Sequence, residues 1–257
     1  MQFTSRTSTD GVTEQLFILP GVSGTDGADG GVPGIPGVLW TPEGDTGPRP
    51  LILVGHGGGQ HKKAPGVLAR AHRFAREGGY AVAALDAPGH GDRPRSPQLA
   101  AAVGELRTRM RSGGDVSAAV AALHELLAGQ SVPEWRTALD ALHRLPDVGE
   151  CPTGYWGVSL GCGLGVPFVA AEPRVRAAVL GLNGAETSAE AAARITVPVE
   201  FLVQWDDERV PREAALALFD TLGSPDKTLH ANPGGHGDIP AFELDSALRF
   251  FARHLGG

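Results

Sequence analysis

The chain is expected to fold as an α/β domain, with a mostly parallel central sheet and helices on both faces. Three observations predict it. Continuous apolar runs such as Leu51-Ile52-Leu53-Val54 and Ala81 to Leu85 alternate with segments of helical period, the pattern of strands buried on both faces and of the helices that cross over them. Around residue 159 an apolar run ends in Gly157-Val158-Ser159-Leu160-Gly161 and a small-residue, helix-compatible segment follows, which reads as strand, sharp turn, helix. The length of 257 residues suits one large domain of this class.

Taken in order, Met1 to Asp10 is polar, and the first strands are read at Gln15–Leu19 and Gly37–Trp40, joined by a Gly/Asp/Ser-rich turn region from Gly21 to Gly34. The Leu51–Val54 strand ends in His56-Gly57-Gly58-Gly59. Ala64 to Glu77 reads as a helix with Val67, Leu68, Ala71, Phe74 and Ala75 at core spacing, and Ala81 to Leu85 as the next buried strand. From Pro94 to Asp147 the pattern turns helical over Leu99–Met110, Val116–Leu127 and Glu134–Leu145, with breaks at Gly113-Gly114 and Pro133. The last of these carries Trp135, Leu139 and Leu142 on one face and should pack on the sheet. The first two exceed what a crossover needs and form a helical insertion over about residues 94–132; it reads either as a small cap over the carboxyl ends of the strands, where ligands bind in open α/β sheets, or as a surface insertion. After the serine come helix Cys162–Ala171, strand Val175–Leu182, helix Ala185–Arg194, strand Val199–Gln204, helix Arg212–Leu222, strand Lys227–Ala231 and a terminal helix Ala241–Leu255. No internal repeat or domain-sized break interrupts residues 1–257.

Composition excludes several classes. Hydrophobic content of 42% and charged content of 20% are ordinary for a globular core that needs no staple. A formal net charge of -7 argues against nucleic acid and against anionic membrane surfaces. Cys151 and Cys162 give no disulfide framework and read as small buried hydrophobes, and no metal-binding spacing of Cys or His occurs, so no metal is expected. The run Leu16-Phe17-Ile18-Leu19 is too short for a signal core, and no stretch reaches the ~20 apolar residues of a membrane span. A soluble, cytoplasmic protein is the default expectation.

The chemistry is read from Ser159. With 37 glycines in the chain a chance Gly-x-Ser-x-Gly is expected roughly a few tenths of the time, so its surroundings must carry the reading. A serine hydroxyl attacks at neutral pH only when a base takes its proton and a third group orients that base. Loops after parallel strands converge on one sheet edge, and three of them qualify in chain order: Ser159, then Asp206/Asp207, then His236. Serine, acid, histidine is the order that accompanies this kind of turn. With these residues, the sequence resembles the α/β-hydrolase family over nearly its whole length, and most the serine esterases and dienelactone-hydrolase-like members. It departs from dienelactone hydrolases proper, which carry cysteine where this chain has Ser159, so their substrate does not carry over.

The resemblance implies an α/β-hydrolase fold and a catalytic set of Ser159, Asp207 and His236. Resembling enzymes often show Asp-x-x-Val-Pro at the acid, which Asp207-Glu208-Arg209-Val210-Pro211 matches; Asp207 is therefore preferred to Asp206, with Glu208 third. Acyl transfer builds negative charge on a carbonyl oxygen, so two backbone N–H donors are wanted, one from Leu160 and one from the glycine loop, where Gly58 is preferred with Gly57 as neighbour. His56 and Asp86 are expected to brace loops, Asp238 to order the loop of His236, and His230 and His254 to be structural or solvated. Trp205 is read as lining the acyl pocket or packing behind the acid. The expected activity is cleavage of a carboxylic ester of a small or medium molecule through an acyl-serine intermediate, with no cofactor. Acyl transfer and thioester, lactone or amide hydrolysis use the same triad and stay open. A non-catalytic ligand-binding protein is the alternative from another class, and a broken triad would favour it.

Overall fold

The apolar runs become the centre of a nine-stranded sheet in the computed structural model, which describes residues 1–22, 34–44, 47–184 and 188–256. Strands β4 (Leu51–Gly55), β5 (Ala81–Leu85), β6 (Thr153–Val158), β7 (Val175–Gly181), β8 (Val199–Gln204) and β9 (Lys227–Asn232) run parallel. The antiparallel strands β1 (Gln2–Thr9), β2 (Val12–Leu19) and β3 (Ile35–Pro42) extend the sheet beyond β5. The order is β1-β2-β3-β5-β4-β6-β7-β8-β9. From β4 the chain steps to one side to make β5, then returns past β4 to build β6 through β9 on the other. The reversal opens a crevice at the carboxyl ends of β4 and β6, where ligands bind in open α/β sheets.

Helices α1 (Pro65–Gly78) and α7 (Phe242–Leu255) cover one face, burying Val67, Ala71, Phe74 and Phe251 against Ile52, Val82 and Val179. The other face is covered by the C-terminal half of α3 (Ser117–Leu142), by α4 (Leu160–Ala171), α5 (Ala189–Ala193) and α6 (Arg212–Thr221), with Trp135, Leu139, Phe168 and Leu218 against Leu53, Tyr155 and Phe201. Alternate residues of each central strand feed these two cores, which is why the central strands read as unbroken apolar runs.

Three local expectations are corrected. Met1 to Asp10 holds a strand, β1, polar because every residue of Gln2–Thr9 is exposed. Asp10 and Gly11 take φ of 51° and 75°, the two-residue hairpin turn that Asp-Gly favours. Pro133 does not break the chain into two helices: α3 runs through it to Leu142, because Leu127 before the proline and Trp135, Ala138 and Leu139 after it are all buried. Packing on both sides outweighs the hydrogen bond that proline cannot donate. The helix expected at Ala185–Arg194 is found as α5 from Ala189; residues 185–187 lie outside the described residues, as does most of the turn region expected at Gly21–Gly34.

The segment after β5 forms α2 (Pro97–Ser112), capped by Ser96 Oγ accepting the Leu99 N–H at 3.2 Å, and the N-terminal half of α3. Leu99 and Leu127 from these helices pack on Leu160 and Leu164 of α4, with Ala87 and Leu123 beside them. The insertion thus rests on the helix that begins at Ser159. Among the described residues no helix is long and apolar enough to cross a membrane.

Candidate active site

Ser159 joins β6 to α4 with φ 56° and ψ -124°, a conformation that L-residues avoid at a cost of roughly 1–3 kcal/mol. Its surroundings hold it there. Its N–H donates to the Gly181 carbonyl at 3.0 Å, and its own carbonyl accepts from Cys162 and Gly163, each at 3.0 Å, and from Asn183 Nδ2 at 3.4 Å. The flanking glycines answer close approach. A Cβ on Gly157 would lie 2.5 Å from the Gly161 carbonyl oxygen, and one on Gly161 would lie 2.8 Å from the Gly55 oxygen. Tyr155, fully buried below the turn, donates its hydroxyl to the Gly161 carbonyl at 2.7 Å. Burial pushes the neighbouring Cys162 thiol up to about 12, which keeps it an inert core group. Cys151, expected to be buried too, is only half-buried.

His236 sits in the loop after β9 and reaches back across the strand ends. Its Nε2 lies 2.8 Å from Ser159 Oγ, and its Nδ1 lies 2.8 Å from Asp207 Oδ2. The Asp207 side chain is 3% exposed and that of His236 9%. The other carboxylate oxygen of Asp207 accepts the N–H groups of Arg209 (2.8 Å) and Val210 (2.9 Å). A carboxylate engaged in this way only accepts, so the ring carries its proton on Nδ1 and leaves Nε2 free to accept from the serine hydroxyl.

The two aspartates point apart. Asp206 is exposed, and its Oδ2 accepts the Gly234 N–H at 3.1 Å, tying the β8 loop to the β9 loop. Glu208 accepts the backbone N–H of His236 at 2.9 Å, and Asp238 accepts that of Gly235 at 2.9 Å. The backbone hold on Glu208 had no signal in the sequence beyond its place beside Asp207. Trp205 is exposed, with the Arg212 guanidinium 4.8 Å above its ring.

Gly58 and Leu160 are neighbours beside Ser159: a Cβ on Gly58 would meet the Leu160 Cβ at 3.9 Å. Leu160 is the first residue of α4, where an N–H has no carbonyl of its own helix to meet. His56 fixes the glycine loop. Its Nε2 accepts the Ala87 N–H at 3.0 Å, so its proton is on Nδ1 and is donated to the Gly57 carbonyl at 2.8 Å. In a trans peptide the Gly58 N–H points opposite to that carbonyl, so the contact also sets the direction of the donor. Burial, ahead of all other influences, holds His56 down to about 4 and keeps it neutral.

A buried ionic network braces the β5 loop behind this. Lys62 Nζ bonds Asp86 at 2.7 Å, and Arg93 makes a two-pronged bond to Glu134 of α3, both at 2.6 Å. Burial pushes the Asp86 carboxyl up, but the Lys62 ammonium and the N–H groups of Lys62 and Asp92 outweigh it, and the group stays below the usual range.

No family model and no curated protein matches the sequence. Solved structures do. The chain is similar to a cold-adapted esterase from an Arctic intertidal metagenomic library, at 32% identity and a TM-score of 0.78 over 99% of this chain and 100% of that one. The chain belongs to the esterases of the α/β-hydrolase family. More distant likenesses show the fold alone. Acetyl xylan esterase 1 from Thermoanaerobacterium has 17% identity and a TM-score of 0.71, over 100% and 88% of the two chains. A dienelactone hydrolase from Anabaena variabilis has 21% identity and a TM-score of 0.64, over 94% and 99%.

Proposed function

We propose that this α/β-hydrolase cleaves a carboxylic ester of a small or medium molecule through an acyl-Ser159 intermediate. The observation that carries the proposal is the unbroken line from Ser159 Oγ through the His236 ring to Asp207, with both contacts at 2.8 Å. Ser159 Oγ attacks the ester carbonyl while His236 Nε2 takes its proton. Asp207, held by two backbone N–H groups, steadies the imidazolium without taking the proton itself. The Gly58 and Leu160 N–H groups receive the charge that develops on the carbonyl oxygen. His236 then returns the proton to the leaving alcohol. Water, activated by the same ring, attacks the acyl carbonyl, releases the acid and restores the serine. Each step moves one proton between oxygen and Nε2 and calls on no cofactor.

The preference for a small or medium substrate is supported by the apolar cluster of Leu99, Leu127, Leu160 and Leu164, in which the insertion packs on the helix that follows Ser159. Intact mass after treatment with a small fluorophosphonate tests the reading. One adduct is expected on the wild-type chain, none on Ser159→Ala, and a much slower one on His236→Ala. A wild-type chain that stays unlabelled, or a Ser159→Ala chain labelled as fast, would overturn it.

A further inference from the structure

Apart from the Ser159 crevice, the structure gathers two buried carboxylates and an imidazole beneath α7. In β8 the residues Val199, Phe201 and Val203 enter the core on the α3–α6 face, while Leu202 enters the α1–α7 core. Glu200 alternates with Leu202 and so faces α7. The parallel register sets Leu202 beside His230 and Gln204 beside Asn232, which puts His230 and Asn232 on that same face. Glu243 and Ser246, one turn apart on α7, come down over them.

The donors are close. His230 Nδ1 lies 2.7 Å from Glu243 Oε2, and Asn232 Nδ2 donates to Glu243 Oε1 at 2.8 Å. Ser246 Oγ donates to Glu200 Oε2 at 2.9 Å, and that oxygen is 3.8 Å from His230 Nε2. The side chains of Glu200 and Glu243 are each 4% exposed. Glu200 Oε1 nevertheless has no hydrogen-bond partner among the described residues. A buried carboxylate oxygen without a partner is costly and calls for a proton or a cation.

We propose that Glu200, His230 and Glu243 bind a divalent transition-metal ion of the zinc type between β8, β9 and α7. One imidazole with two carboxylates is a donor set suited to zinc, whereas calcium and magnesium favour oxygen alone. One ligand atom from each residue lies within 4.8 Å of the others. Ligands of a single ion at roughly 2.0–2.2 Å stand no more than about 4.4 Å apart, so only small side-chain adjustments are needed. Asn232 and Ser246 supply the outer hydrogen bonds that orient ligating carboxylates. His230 is 29% exposed and leaves the solvent side open for entry and for water to complete the coordination.

Calorimetric titration of zinc chloride into the chelator-treated full chain tests this, on wild type, His230→Ala and the near-isosteric Glu200→Gln and Glu243→Gln. One strong zinc equivalent is expected in wild type, weakened at least about tenfold in each variant. Zinc absorption spectroscopy of the wild-type complex, which needs no variant to fold, should report one imidazole, oxygen ligands and no sulfur. Absence of zinc binding to wild type, undiminished binding in folded variants, or a spectrum with sulfur or several imidazoles would overturn the site.

Discussion

Glu208 accepts the backbone N–H of His236 at 2.9 Å. Asp207, one residue earlier, takes the ring of the same histidine. Consecutive residues of the β8 loop therefore hold the backbone and the side chain of His236. Glu208→Ala frees the backbone anchor while the ring keeps its partner. It should lower kcat by about fivefold, the usual weight of one hydrogen bond, with KM little changed, while Glu208→Gln retains most of the rate. Steady-state kinetics on a short-chain ester compares them.

The adjacent aspartates give a sharper contrast. Asp207→Asn removes the acceptor that fixes the His236 tautomer and should cut kcat by roughly 10³–10⁴. Asp206→Asn loosens only a contact to Gly234 and should stay within a few-fold of wild type. Near-normal turnover in Asp207→Asn beside a dead Asp206→Asn would reverse the assignment.

At the serine turn, added carbon has nowhere to go. Gly161→Ala sets a Cβ 2.8 Å from the backbone oxygen of Gly55, and strand and helix must part. A stability loss of about 1–3 kcal/mol is expected, with reduced turnover. Gly104→Ala, on an exposed part of α2 with nothing within 4 Å of the new Cβ, should instead stabilise by up to about 1 kcal/mol. Denaturant unfolding of both variants reads the difference in sign.

Acid should loosen the glycine loop through His56. An unfolded chain titrates this histidine near 6.5, whereas burial holds it down to about 4 in the native protein. Between pH 6.5 and about 4 the unfolded chain binds a proton that the folded chain refuses, so stability falls as pH drops through that window and this contribution levels off below it. The loss amounts to about 3 kcal/mol. Unfolding curves at pH 7 and 4.5 should separate by more in wild type than in His56→Gln.

Much of this was legible in the sequence because it depends on local geometry. Gly157 and Gly161 can be read as a close backbone crossing from spacing alone, and the buried parallel strands from their unbroken apolar runs. Asp206 and Asp207 could not be told apart by any steric rule, since adjacent residues on a turn differ only in which neighbour they meet. β1 went unread because an exposed outer strand needs no apolar alternation. Pro133 misled because packing at Leu127 and Trp135 acts over distances that local preference does not see. Glu200, His230 and Glu243 come from three elements, and only the register of β8 with β9 places them together.

The loop after β9 carries His236, yet among the described strands β9 pairs only with β8, and most of Lys227–Asn232 is exposed or half-buried. Ser159 follows β6, enclosed between β4 and β7. The two ends of the Ser159–His236 contact, 77 residues apart, thus follow an edge strand and an interior strand, and the edge strand is expected to open at the lower temperature. On gentle warming the outer strand is expected to detach before the interior melts. Turnover should then vanish while the ellipticity of the core persists, and return on cooling, which activity and circular dichroism followed over one temperature ramp would check.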